Sequence, residues 1–236
     1  MNSSVRWLVQ LKGESGTLER LAQLVRTPYL AVEQIDGRHY VSSSEFAGIT
    51  DPGQVEQQAT YLLEAANGAL RVHDPSYLPF VDIVCAVQQT PGKPLPIVVQ
   101  PEPVQVSISV LPPTVTGATP VKPTIQDRIG DRIALAAKEP DVERAFRYLE
   151  SPRLDFSDLY KVGEIIKRRA GGTKAAVGGR RWATTAEFQR FMRTANHYRH
   201  AAGGPHCLPP KPMTRMEARR FACRLVDQWL RDDFGK

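Results

Sequence analysis

The chain is poor in cysteine: Cys85, Cys207 and Cys223 are the only three in 236 residues. They are widely spaced and odd in number, which excludes a dense disulfide framework and makes a reducing, cytoplasmic setting the expected one. No apolar run approaches the ~20 residues needed to cross a bilayer, so no membrane partner is expected. The apolar stretch 7–11 is broken by Gln10 and followed by no small-residue cleavage site, so it is not expected to act as a signal peptide. No internal repeat and no paired Cys-x2-Cys occur, which argues against a solenoid and a zinc ribbon. The Gly-rich run 171–181 lacks the Gly-Lys-Thr/Ser order of a P-loop and a preceding strand, which excludes that NTPase signature.

What the chain does hold is enough apolar material for a core, 42% hydrophobic against 24% charged residues. Its net charge of +6 is unevenly placed. Residues 1–115 carry 7 basic and 11 acidic side chains, a balance of −4, and residues 116–236 carry 24 and 14, a balance of +10. Such asymmetry points to a polyanionic partner for the second half. It also allows the acidic half to dock on the basic half and hold it inactive.

The first half reads as a small α+β domain, sensory or regulatory, over residues 1–111. A β-rich run at 5–11 is followed by Leu18, Leu21, Ala22, Leu24 and Val25 at helical spacing. Asp36-Gly37 between two apolar stretches predicts a tight type I′ hairpin. Asp51-Pro52 opens a second helix, Pro fitting the first helical position where its missing N–H would be unpaired anyway. Asn67-Gly68 predicts its end, with short strands after it at 69–73, 81–89 and 96–110. Proline-rich residues 112–124 read as a linker.

Residues 125–236 carry no convincing strand. Five amphipathic helices are expected, joined by short loops into a basic antiparallel bundle. The fourth and fifth open with Thr184/Glu187 and Thr214/Glu217, the spacing of capping boxes.

The chemistry-bearing residues gather on the fourth of these helices. At about 100° per residue, and taking Arg193 as zero, Asn196, His197 and His200 fall at roughly −60°, +40° and −20°. Phe188, Phe191, Ala195, Tyr198 and Ala202 fall on the opposite side. The guanidinium fork of Arg193 matches phosphate oxygens. Histidine exchanges a proton near neutral pH, as attack by a 2′-hydroxyl on phosphorus requires.

Arg193-x6-His200 on the last-but-one helix of a bundle resembles the HEPN superfamily, with Thr194 where that family usually has a polar residue such as Asn. The segment from Pro209-Pro210-Lys211-Pro212 to Trp229-Leu230 also resembles the end of bacterial HEPN-like proteins. The resemblance covers roughly residues 125–236. It implies metal-independent RNA cleavage in a defence or toxin-type system, through 2′-hydroxyl attack leaving a cyclic phosphate. In that scheme His200 is the acid or base, Arg193 stabilises charge, Asn196 orients the pair or the substrate, and His197 belongs to the same catalytic set. It implies a homodimer built through the bundle, a partner protein of antitoxin type, and no cofactor. Non-catalytic members bind nucleic acid or protein instead, and that alternative stays open.

RNA is the expected partner, with Lys167, Arg168, Arg169, Lys174, Arg180, Arg181 and Arg199 as its backbone contacts. Each has an ordinary competing explanation. Lys167, Arg168 and Arg169 suit a helix C-terminus without any ligand, and the Arg193 face can be a solvated helix surface. His197, His200, His206 and Cys207 offer zinc-type donors, but without a Cys-x2-Cys pair.

Overall fold

A computed structural model describes residues 6–27, 29–77, 81–90, 124–151, 153–200 and 207–235. The architecture is α+β, with a four-stranded antiparallel sheet and eight α-helices among the described residues. The sheet strands are β1 (Arg6–Gly13), β2 (Leu30–Ile35), β3 (Arg38–Ser43) and β4 (Val81–Gln89), in the spatial order β2-β3-β1-β4. Helix α1 (Ser15–Leu24) links β1 to β2, and α2 (Pro52–His73) links β3 to β4. This is a split β-α-β arrangement, because each crossover skips a strand that is inserted between its ends.

Local chemistry explains most of these elements. In the β2–β3 hairpin Asp36 has φ +50° and Gly37 φ +77°, the paired positive angles of a type I′ turn. Asp51 caps α2 by accepting the Gly53 N–H at 2.7 Å, with Pro52 at the first helical position. Period-two alternation in β1 sends Val9 and Leu11 into the main core and Leu8 to the other sheet face, where it meets Tyr40 and Val87.

One expectation fails here. Helix α2 does not stop at Asn67-Gly68 but continues to His73, so residues 69–73 are helix rather than strand. Both residues are buried. Gly68 lies where α4 (Pro140–Glu150) crosses α2: a Cβ on Gly68 would sit 2.4 Å from the Phe146 Cβ. The glycine is there for close backbone approach, which propensity cannot distinguish from a stop signal. The expected strand at 96–110 and most of the proline-rich linker fall in 91–123, outside the described residues.

The regular elements among the described residues of the second half are all helices: α3 (Ile125–Ala136), α4, α5 (Phe156–Ala170), α6 (Lys174–Gly179), α7 (Thr185–Arg199) and α8 (Arg215–Phe234). The five expected helices are present, and α6 adds a sixth inside the run expected as a Gly-rich loop. Capping boxes open α3, α7 and α8.

The principal buried cluster is continuous across both halves. It joins Val9, Leu21, Val55, Leu62 and Leu70 to Phe146, Leu149, Ile166, Phe188, Val226 and Trp229. Helix α2 is the shared member, packed on α3, α4 and α8 as well as on the sheet. At its C-terminal end Arg71 is fully buried. Its Nε donates to the Tyr77 carbonyl at 3.0 Å, and its Nη1 donates to the carbonyls of Leu149 at 2.5 Å and Ser151 at 2.6 Å, beyond the last turn of α4. Burial, and then the nearby Arg219 cation, bring its guanidinium down to about 10. The halves therefore meet through apolar surface, this buried arginine, the Gln126 amide on the Gln23 carbonyl at 2.8 Å and a half-exposed ion pair of Arg147 with Glu64 at 3.6 Å.

Candidate functional site

Helix α7 carries the chemistry-bearing run, and its capping box fixes where it starts. Thr184 Oγ1 accepts the Glu187 N–H at 3.1 Å, and the Glu187 carboxylate accepts the Thr184 N–H at 3.1 Å and its hydroxyl at 2.8 Å. Those bonds to Thr184 hold the Glu187 carboxyl below the usual glutamate range. From that start Phe188, Phe191, Met192 and Ala195 turn into the core, leaving Ala186, Gln189 and Arg193 exposed.

Thr194 is buried. Its hydroxyl donates to the Arg190 carbonyl at 2.8 Å and accepts the Met213 N–H at 3.2 Å, tying α7 to the entry of α8. The residue after Arg193 thus faces the neighbouring helix, away from the polar face.

Arg193 is exposed, and Asn196 and His197 are half-buried. The Asn196 side-chain oxygen is buried with no donor opposite it. His200 is exposed and lies just beyond the helix, which ends at Arg199 rather than at about 201; His200 has extended backbone, φ −94° and ψ 123°. The helical periodicity on which its wheel angle rested therefore ends at Arg199. His206, one of the zinc-type donors, lies outside the described residues. Among the described residues no group of three His, Cys, Asp or Glu side chains is placed to hold a metal.

Tyr198 was expected on the buried face and is instead 48% exposed. Its ring stacks on Phe156 of α5, with centroids 4.8 Å apart and planes 24° apart. The His197 ring meets Tyr198 edge-on at 5.1 Å. The Arg199 guanidinium lies 3.6 Å from the centre of the Tyr160 ring, one turn along α5 from Phe156. The C-terminal end of α7 is therefore an aromatic ledge shared with α5 and bordered by His197 and Arg199. Sequence reasoning missed Phe156 and Tyr160; their four-residue spacing was visible, but their partners lie on a distant helix.

The expected RNA-contacting cations divide into two groups. Lys167 pairs with Glu164 at 2.6 Å, and Arg168 with Asp141 at 2.5 Å. Arg169 pairs with Glu139 at 3.1 Å; its Nε also lies 2.8 Å from Asp141, in ion-pair range although the N–H is not well directed at the oxygen. Arg180 pairs with Asp232 at 3.1 Å and Asp233 at 3.2 Å, and covers the Trp182 ring. These four tie α5 to the start of α4 and the α6–α7 connection to α8, or brace one helix, and do not form an uncompensated patch. Lys174 at the start of α6 and Arg181 just beyond its end are in no ion pair among the described residues.

Protein-family models, characterised proteins and solved structures were all compared with the chain, and none matches it. The HEPN resemblance gains no support from them, so the geometry of the site is the guide to its chemistry.

Two open surface pockets lie among the described residues. One, of about 270 Å³, lies between Arg26, Thr27 and Tyr29 and the α3 residues Gln126, Asp127 and Gly130. The other, of about 420 Å³, lies beside the start of α7. Neither is lined by Arg193 or His200. No helix among the described residues is long and apolar enough to cross a membrane.

Proposed function

We infer that the C-terminal end of α7 is an RNA site, and that the protein is a metal-independent endoribonuclease of the HEPN-like kind. The observation that carries this is the exposed Tyr198 ring stacked on Phe156, with His197 edge-on to it and Arg199 over Tyr160, at the end of the helix that also carries Arg193 and His200. A base stacks on an aromatic face whatever its identity, and guanidinium groups bind the phosphate next to it.

In this scheme a histidine takes the 2′-hydroxyl proton as that oxygen attacks phosphorus. The P–O5′ bond breaks, the leaving oxygen is protonated, and a 2′,3′-cyclic phosphate remains. Arg193 stabilises the charge that builds on the phosphoryl oxygens. Homodimerisation through the bundle, and a partner protein that restrains the site, belong to the same proposal.

A second reading, a non-catalytic RNA-binding module, is favoured by Thr194. That side chain is engaged with Arg190 and Met213 and leaves the polar face without the group that usually follows the family arginine.

The test compares wild type with Arg193→Ala/His200→Ala on mixed cellular RNA in excess EDTA. Cleavage by wild type alone, leaving cyclic phosphate ends, is expected. Equal cleavage by both proteins would overturn the catalytic assignment, and intact RNA with retained binding in both would support the module.

A further inference from the structure

Helix α8 buries an arginine that no carboxylate balances. Arg219 is 6% exposed, and its Nε has no acceptor. It is in no ion pair among the described residues. Burial brings its guanidinium below the ordinary value; the Cys223 thiol pulls the other way, and Arg215 pushes it further down. Arg71 of α2 lies close by and is fully buried. Three backbone carbonyls take up its Nε and Nη1, but its Nη2 has no acceptor. The two arginines meet around one point of α8. The Arg219 cation lowers the Arg71 guanidinium, and both cations act on Cys223, one turn beyond Arg219 on that helix.

The carboxylates of this region are engaged elsewhere. Asp227 pairs with Arg132 and, at 2.8 Å, with Arg231. Asp74 pairs with Arg20 at 2.5 Å. Glu150 feels Arg71, yet burial holds its carboxyl above the usual glutamate range and so favours the neutral form. Arg132 is as buried as Arg219 and has its own carboxylate; Arg71 and Arg219 share none. A charge taken out of water is costly unless an opposite charge and hydrogen bonds replace the water.

Two guanidinium forks from different helices, each with an orphan N–H, call for a ligand that accepts in several directions at once. A tetrahedral oxyanion does so, whereas chloride has no directed acceptor geometry to match a fork. A route in is marked by charge. Arg215 is exposed one turn before Arg219 on α8, so cations run from the surface at Arg215 through Arg219 to Arg71. Because Arg71 is fully buried, a free ion suits the place better than the phosphate of a polymer.

We propose that Arg219 and Arg71, beside Cys223, hold a small oxyanion of the inorganic phosphate type between α8 and the C-terminal end of α2. The ion is a counter-charge that ties the last helix to the central one. It stands apart from the ledge on α7 and does not depend on the RNA-site reading.

The experiment follows thermal unfolding in inorganic phosphate, from none into the low-millimolar range, with potassium chloride holding ionic strength constant. It compares wild type, Arg219→Met and Arg219→Lys. General salt effects act on all three alike, so the difference between them reads the site. Wild type should show a saturable rise in Tm, about 5–10 °C once phosphate is a hundredfold above its Kd. Arg219→Met keeps the apolar stem and removes the cation. It should lose the rise, and without phosphate it should melt no lower than wild type. Arg219→Lys should need about tenfold more phosphate for half of the rise, the loss of one charge-assisted hydrogen bond. Uridine monophosphate should raise Tm far less than phosphate. An equal rise that disappears in Arg219→Met would overturn the free ion as the source and assign the same groups to the phosphate end of a nucleotide. A wild-type Tm that ignores phosphate, or an equal rise in Arg219→Met, would overturn the site. Should Arg219→Met not fold, half-saturation in Arg219→Lys equal to that of wild type would overturn it instead.

Discussion

Gly68 of α2 lies against Phe146 of α4 so closely that an added methyl group would meet the Phe146 Cβ at 2.4 Å and its Cα at 2.6 Å. Neither helix can yield, because each is packed on its other sides within the common core. Gly68→Ala should therefore destabilise the protein by about 1–3 kcal/mol, although alanine favours helix. Urea denaturation measures this, and a variant as stable as wild type would show that the two helices can separate without cost.

Arg71 also connects α2 to α4. Arg71→Ala would leave the Tyr77, Leu149 and Ser151 carbonyls short of a donor in a buried place. Loss of about 2–4 kcal/mol is expected. Arg71→Lys should recover little of it, since one ammonium group cannot follow the guanidinium fork to three carbonyls. Full rescue by lysine would mean that charge, not geometry, is what the site requires.

The Glu187 carboxyl is held below its ordinary range by bonds to Thr184, so its ionised form favours the folded state. That contribution is fully present above the unfolded value, about 4.3. It is lost as pH falls through the lower folded value. Glu187→Gln keeps the shape and removes the charge. The stability gap between wild type and this variant should be widest near neutral pH and close as pH falls through the lowered folded-state value. A gap independent of pH would remove the charge from the account of this cap.

Among the thiols, Cys207 is exposed and Cys223 buried. Burial pushes the Cys223 thiol up to about 12, against the opposing pull of Arg71 and Arg219. A thiol reagent at pH ~8 should label Cys207 at once and Cys223 only on unfolding. Equal native labelling rates would contradict the packing around α8.

At the ledge, Tyr198→Ala should weaken single-stranded RNA binding by roughly 5- to 100-fold, the range of one lost base stack, whereas Tyr198→Phe should bind nearly as wild type. Unchanged affinity in the alanine variant would place the RNA elsewhere.

What the sequence disclosed was largely what neighbouring residues decide among themselves. Asp36-Gly37, Asp51-Pro52 and the Thr/Glu pairs at 184/187 and 214/217 act over two to four residues, and each is found where the local pattern put it. The errors come from partners distant in the chain. Asn67-Gly68 has the composition of a helix end, but packing on Phe146 carries the helix through. Lys167, Arg168 and Arg169 read as a basic cluster until Glu164, Asp141 and Glu139 are set beside them. Helical periodicity placed Asn196 and His197 beside Arg193, but it could not show that the helix ends before His200, or that Tyr198 turns outward to meet Phe156.

The reach of Arg71 to a carbonyl 78 positions later also sets a schedule for synthesis on the ribosome. At roughly 5–20 residues per second, α2 emerges about 4–16 s before α4 exists to cover it. Through that interval the α2 surface around Gly68 has no native partner. The nascent chain is then most open to chaperone capture and to misassociation with its neighbours on the same message.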